Sequence, residues 1–67
     1  MAFDEFRHWM ESHGWTFQGI YRKRFRLFIK RGDEPIVVPV DDKEVSDEYV
    51  KRIKTYVEGR RPRGKGA

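Results

Sequence analysis

The chain has 67 residues, enough for one small domain, and such a domain buries only ~60% of the surface that its unfolded chain exposes. It contains no cysteine, which excludes disulfides and thiolate metal sites. Its longest apolar run, Ile36–Val38, is far shorter than the ~20 residues that a membrane helix needs, and the N-terminus lacks the apolar run of a signal peptide. We therefore expect a soluble, cytoplasmic protein that makes no membrane contact.

The net charge of +4 is unevenly distributed. It comes from a C-terminal segment without acids, whose cations are Arg60, Arg61, Arg63 and Lys65. Within the balanced remainder, residues 22–31 are basic and residues 41–48 are mainly acidic. This segregation predicts one strongly positive surface and one negative surface.

Helical spacing of apolar residues predicts a first helix over about residues 3–13. The residues that repeat are Phe3, Phe6, Trp9 and Met10. Gly14 stands where a left-handed C-cap is expected, and Trp15 is predicted to fold back onto the last turn.

Residues 15–40 have the pattern of β structure. The alternation in residues 24–30 predicts a strand with one apolar face and one cationic face that carries a single aromatic ring. The apolar set is Phe25, Leu27 and Ile29, and the alternating set is Arg24, Arg26, Phe28 and Lys30.

Two further strands flank this one. Trp15–Tyr21 is predicted as the earlier strand, with Gly19 as a bulge or as the turn itself. After a turn at 31–34, Ile36 starts the last strand, and Pro39 marks it as an edge strand or as its end, because proline has no N–H to donate.

The second helix has the clearest signals. Ser46 is a suitable N-cap, and Asp47 and Glu48 follow it in the first turn, where the helix dipole favours acids. Val45 and Val50 have the spacing of a hydrophobic staple. We predict an α+β domain over 1–59, α-β-β-β-α in order, with a three-stranded antiparallel sheet and both helices on one face. Residues 60–67 are predicted to form a disordered basic tail.

This pattern resembles the HicA-type mRNA interferases, which have a double-stranded-RNA-binding-domain-like fold. Two stretches carry the resemblance, the helix that ends in His-Gly-Trp at 13–15 and the segment from Ile36 through the second helix. The family's Gly-Ser-His motif before the second strand is missing, since residues 19–25 contain no histidine. The resemblance therefore implies the fold and contact with RNA, and no catalytic residue carries over.

Two basic regions are candidate nucleic-acid contacts, because several cations on one surface displace the counterions of a polyanion. The first consists of Arg22, Lys23, Arg24, Arg26, Phe28, Lys30 and Arg31, where Phe28 is the ring that could stack on an unpaired base. The second is the tail, with Arg60, Arg61, Arg63 and Lys65. One alternative is that this strand face is a solvated outer surface that binds nothing. Another is that Phe28 belongs to the core, which requires that both faces of the sheet are covered.

No metal or cofactor site is predicted. His8 and His13 are five residues apart on a helix, which separates them by ~140° around its axis. His13 has the position of a cation beside the helix C-terminus. The acidic connector at 41–44 has no EF-hand spacing, and its expected role is to favour the start of the second helix.

The leading interpretation is a small non-catalytic nucleic-acid-binding domain that prefers RNA to DNA, with the RNA preference taken from the resemblance alone. The alternative is a protein-interaction module, of viral or mobile-element type, that docks on a larger machine through its charges or a strand edge. A third possibility, a ribonuclease, lacks a visible acid–base pair. Both a monomer and a homodimer are compatible with the sequence.

Overall fold

The computed structural model describes residues 1–59, so the predicted tail at 60–67 lies outside the described residues. The order of elements is α-β-β-β-α, as predicted, and the three strands form an antiparallel sheet in the order β1-β2-β3. The elements are α1 (Phe3–Ser12), β1 (Thr16–Tyr21), β2 (Phe25–Ile29), β3 (Ile36–Pro39) and α2 (Asp47–Gly59).

The first helix ends as its sequence predicts. Gly14 has a φ of +89°, the left-handed conformation that a residue without a Cβ adopts at little cost. The N–H of Trp15 then donates to the carbonyl of Met10 at 3.0 Å, which turns the chain back over the last turn. Trp15 is buried as a result, and it leads directly into β1.

The sheet contains both predicted irregularities. Gly19 is the bulge alternative, because the register of β1 against β2 shifts between Phe17 and Gly19. Pro39 lies in β3, which is an edge strand as expected. The N–H of Val40 donates to the carbonyl of Arg24 at 2.7 Å, so the end of β3 lies against the start of β2.

The second helix is capped as predicted, since the Ser46 hydroxyl accepts a hydrogen bond from the N–H of Tyr49 at 3.2 Å. Val45 and Val50, the two staple residues, are both buried. The α-amino group of Met1 also lies at this helix start, where it donates to the Val45 carbonyl at 3.0 Å. The pKa of this amine is raised from its usual value, chiefly by its hydrogen bond to the Glu44 side chain.

One hydrophobic core joins the two helices to one face of the sheet. Helix α1 contributes Phe6 and Met10, while α2 contributes its three buried residues on one stripe. The sheet contributes Phe28 and Val38, both fully buried. None of the helices in residues 1–59 has the length and apolar character required to cross a bilayer.

The helices cover the opposite face of β2 from the one that the apolar pattern suggested. The helices cover the face that carries Arg26, Phe28 and Lys30, and leave open the face of Phe25, Leu27 and Ile29. Alternation identifies two faces but does not say which one the helices contact. The cationic face can be the inner one because the long stems of Arg26 and Lys30 reach the rim of the domain while Phe28 fills its centre.

Candidate nucleic-acid interface

Phe28 is not an exposed stacking residue. Its side chain is 0% exposed, and its ring lies between those of Phe3, Phe6 and Phe17, with centroid distances of 6.1, 6.1 and 5.5 Å. The interpretation of Phe28 as a base-stacking ring is therefore wrong. Phe28 is a core residue, as in the alternative, although the helices cover only one face of the sheet. The core lies on this face because helices α1 and α2 cover it.

Arg26 and Lys30 share this inner face, and each is tied to nearby protein groups. The guanidinium of Arg26 lies 5.5 Å from the centre of the Phe3 ring and donates to the carbonyls of Lys23 and Phe25 at 3.3 and 3.4 Å. The ammonium of Lys30 donates to the carbonyl of His13 at 3.2 Å. These two cations therefore help to close the rim of the core, and the guanidinium of Arg26 also lies beside the turn that contains Lys23.

The structure brings the other basic residues of this region together at the turn between β1 and β2. We call residues 21–25 the hairpin tip, which consists of Tyr21, Arg22, Lys23, Arg24 and Phe25. Its three cations are exposed, and they form no ion pair within the part of the chain that the structure describes. Arg31 is also exposed, but it lies in the turn at the opposite end of β2.

Two aromatic residues frame the cations of the hairpin tip. Tyr21 and Phe25 are paired directly across the two strands, and their ring centroids are 6.5 Å apart. The Arg22 guanidinium lies 5.3 Å from the centre of the Tyr21 ring. Sequence reasoning missed this pair, although the run Tyr-Arg-Lys-Arg-Phe, with two aromatics around three cations, was the available signal.

The backbone at the hairpin tip is strained. Arg22 and Lys23 have φ values of +53° and +66°, in the left-handed region that costs an L-residue ~1–2 kcal/mol. The turn is a three-residue loop, residues 22–24, between the paired Tyr21 and Phe25, and the N–H of Arg24 donates to the carbonyl of Arg22 within it. Glycine adopts positive φ values without the steric cost of a Cβ. The tip therefore keeps two cations at positions where glycine would be more stable.

Replacing Lys23 with glycine should consequently stabilise the domain. We expect Lys23→Gly to raise the free energy of unfolding by about 0.5–1 kcal/mol in urea denaturation, because relief of strain exceeds the added entropy of the unfolded chain. The matched control is Lys51→Gly at an exposed position of helix α2, which should lower the free energy of unfolding by about 1 kcal/mol. A similar loss of unfolding free energy in both variants would contradict the conclusion that the turn is strained.

The open face of the sheet, defined by Tyr21, Phe25, Leu27, Ile29, Val37 and Pro39, carries no charged side chain of the three strands. These residues share a face because directly paired residues in an antiparallel sheet point to the same side. Tyr21 is 45% and Ile29 is 37% exposed, and the other four are partly buried. Because no element of residues 1–59 covers this apolar face, it is a candidate binding surface.

The acidic connector lies beside the hairpin tip. Because Val40 bonds to Arg24, Asp41 follows at the same end of the sheet as the basic turn. The first acid of the connector therefore lies near the basic turn along the backbone, and the separation into a positive and a negative surface stays a prediction. Asp42 and Lys43 have φ values of +54° and +64°, and they form a two-residue turn of the type I′ kind that is closed by two backbone hydrogen bonds between Asp41 and Glu44.

The histidines lie on α1 and its C-cap, each against the helix backbone. His8 Nδ1 lies 3.1 Å from the carbonyl oxygen of Asp4. The ring of His13 stacks on Trp9 at 4.0 Å, and its Nδ1 lies 2.9 Å from the Trp9 carbonyl oxygen, close to the helix C-terminus as expected. Among residues 1–59, no three histidine, aspartate or glutamate side chains are grouped so that they could hold a metal ion.

The predicted tail contacts, Arg60, Arg61, Arg63 and Lys65, lie outside the described residues. No family model, curated protein or solved structure matches this chain. The resemblance to the HicA-type interferases therefore stays a prediction, carried by the sequence pattern.

Proposed function

We propose that this protein is a small non-catalytic nucleic-acid-binding domain whose principal contact is the hairpin tip. The observation that supports this proposal is that three exposed cations without ion-pair partners in residues 1–59 stand between two aromatic rings, Tyr21 and Phe25. The C-terminal basic residues would add a second, sequence-independent contact. RNA as the preferred ligand, and a cytoplasmic location, are part of the proposal on the basis of the sequence alone.

The physical argument is electrostatic. Each cation that neutralises a phosphate releases a condensed counterion, so several close cations bind a polyanion with a strong dependence on salt. Arginine adds bidentate hydrogen bonds to phosphate oxygens. Asp41 and its neighbours lie at the same end of the sheet and lower the positive potential there. We therefore expect a modest affinity for nucleic acid and contact with only a short stretch of its phosphate backbone.

The test is fluorescence-anisotropy titration of the full chain with labelled single-stranded RNA, duplex RNA and duplex DNA over a range of salt. We expect Arg22→Ala/Arg24→Ala to weaken binding about tenfold at low salt. The plot of log K against log salt should also become less steep, with the magnitude of its slope smaller by about 1.4–1.8. The matched control is Lys51→Ala/Arg52→Ala, which removes the same charge from α2. A chain that ends at Gly59 measures the contribution of the tail.

Two results would contradict the proposal. One is the absence of binding to any of the three ligands at low salt. The other is an equal loss of affinity in the tip variant and in the α2 control, since that result would show general attraction to a cationic protein.

A protein-interaction module is the second candidate, and the apolar open face of the sheet is the observation that favours it. It predicts a complex with a defined protein that is insensitive to salt. The edge of β3 is a poor place for strand addition, because Pro35 precedes the strand, Pro39 is its last residue, and the Tyr49 hydroxyl already donates to the Val37 carbonyl at 2.9 Å.

A further inference from the structure

The open face of the sheet differs at its two ends. At one end the aromatic pair Tyr21 and Phe25 adjoins the cations of the hairpin tip. Toward the other end the surface is aliphatic, with Leu27, Ile29 and Val37. The face is therefore apolar along its length, with the three clustered cations of the hairpin tip at one end and Arg31 in the turn at the other.

The size of this face limits what can bind it. Three strands ~4.8 Å apart and a central strand of five residues give a footprint of roughly 14 by 17 Å, or ~240 Å². Even if side-chain relief doubles that area, it stays well below the ~800 Å² that each partner buries in a standard protein interface. A globular partner or a second copy would thus need most of its contact elsewhere, whereas a short flexible strand fits the face.

From these features we infer that the open face of the sheet is a stacking platform for single-stranded nucleic acid, with two unpaired bases on the rings of Tyr21 and Phe25. The phosphates next to those bases would lie against the exposed cations of the hairpin tip. This inference rests on the proposed function and specifies its ligand as an unpaired strand.

The geometry favours unpaired bases for a physical reason. A ring on a sheet surface offers its π face only to a base that has left its own stack, and sheets with adjacent aromatic rings bind two or three such bases in this way. The guanidinium of Arg22, 5.3 Å from the Tyr21 ring centre, is close enough to pair with a phosphate beside a stacked base. A duplex could reach the cations of the tip but not the rings.

The decisive comparison separates ring stacking from charge. Tyr21→Leu/Phe25→Leu keeps apolar bulk and every cation but removes both rings, while Tyr21→Phe/Phe25→Tyr keeps two rings. We expect the leucine variant to bind single-stranded RNA about tenfold or more weakly and to bind duplex RNA as the unmodified chain does. The ring-retaining variant should bind both ligands normally. Circular dichroism and urea denaturation check that each variant is folded.

Chemical-shift mapping with the same single-stranded RNA gives an independent readout, and we expect the shifts on Tyr21, Phe25 and Leu27 rather than on the helices. Unchanged affinity of the leucine variant, or equal binding of single strand and duplex, would overturn the inference while leaving the proposed function intact. No binding by the unmodified chain would overturn both. A protein complex lost in the leucine variant, with no nucleic-acid binding, would assign the face to a protein and likewise overturn both.

Discussion

Phe28→Ala is expected to unfold most of the protein at room temperature. The ring of Phe28 is fully buried at the centre of the sheet and contacts aromatic rings from α1 and β1. Removing a buried phenylalanine side chain costs about 3–5 kcal/mol, because the hydrophobic transfer term is lost and a cavity remains. A domain of this length has little more stability than that to lose. Urea denaturation followed by circular dichroism measures the effect.

The control for this prediction lies one residue away on the opposite face. Ile29 is 37% exposed, so Ile29→Ala should cost about 1 kcal/mol or less and leave the protein folded. Phe28→Leu, which keeps most of the apolar volume, should lie between the two. If Phe28→Ala stayed folded and lost only its affinity for nucleic acid, then Phe28 would be a surface residue and the fold described above would be wrong.

Val38→Asp should be as destabilising as Phe28→Ala, for an electrostatic reason. Val38 is fully buried on the helix-covered face of β3, so a carboxylate there would lose its contact with water. Its direct neighbour across the strands is Arg26, whose guanidinium already donates to the carbonyls of Lys23 and Phe25. Removing a carboxylate from water costs several kcal/mol, which a nearby cation does not fully offset, in addition to the lost burial of the valine. We expect no cooperative unfolding transition for this variant at neutral pH.

Val37→Asp is the matched comparison, since the same carboxylate one residue earlier lies on the open face of the sheet. We expect this variant to stay folded, with a loss of about 1 kcal/mol. Because the new charge would repel phosphates, it should also weaken binding to single-stranded RNA. Equal destabilisation by Val37→Asp and Val38→Asp would mean that both faces of the sheet are covered, which would remove the platform.

Much of the fold could be predicted from the sequence because its signals are local. Gly14 ends α1 because the backbone needs a positive φ there, and Ser46 starts α2 because its hydroxyl accepts from the third N–H of the helix. Pro39 marks an edge strand because it has no N–H to donate to a neighbouring strand. Each of these effects involves residues only a few positions apart, so neighbours in the sequence contain the necessary information.

The candidate site was only partly predictable. The sequence identified the basic segment that contains Arg22, Lys23 and Arg24, and the structure exposes all three. It named the wrong aromatic residue, because the stacking role depends on exposure and Phe28 has none. Tyr21 and Phe25 become neighbours only when the turn at 22–24 pairs their strands.

The sequence by itself determined the elements, their order and the two faces of β2, because hydrophobic period, caps and turn residues act within a few positions of the chain. Only the tertiary structure decided which face of the sheet the helices cover. That choice depends on how Phe6, Met10 and the apolar stripe of α2 pack together, and Phe28 fills the space between them. Arg26 and Lys30 can lie on the covered face because their side chains are long enough to place the charged ends at its rim. The helices therefore leave the apolar face of β2 open.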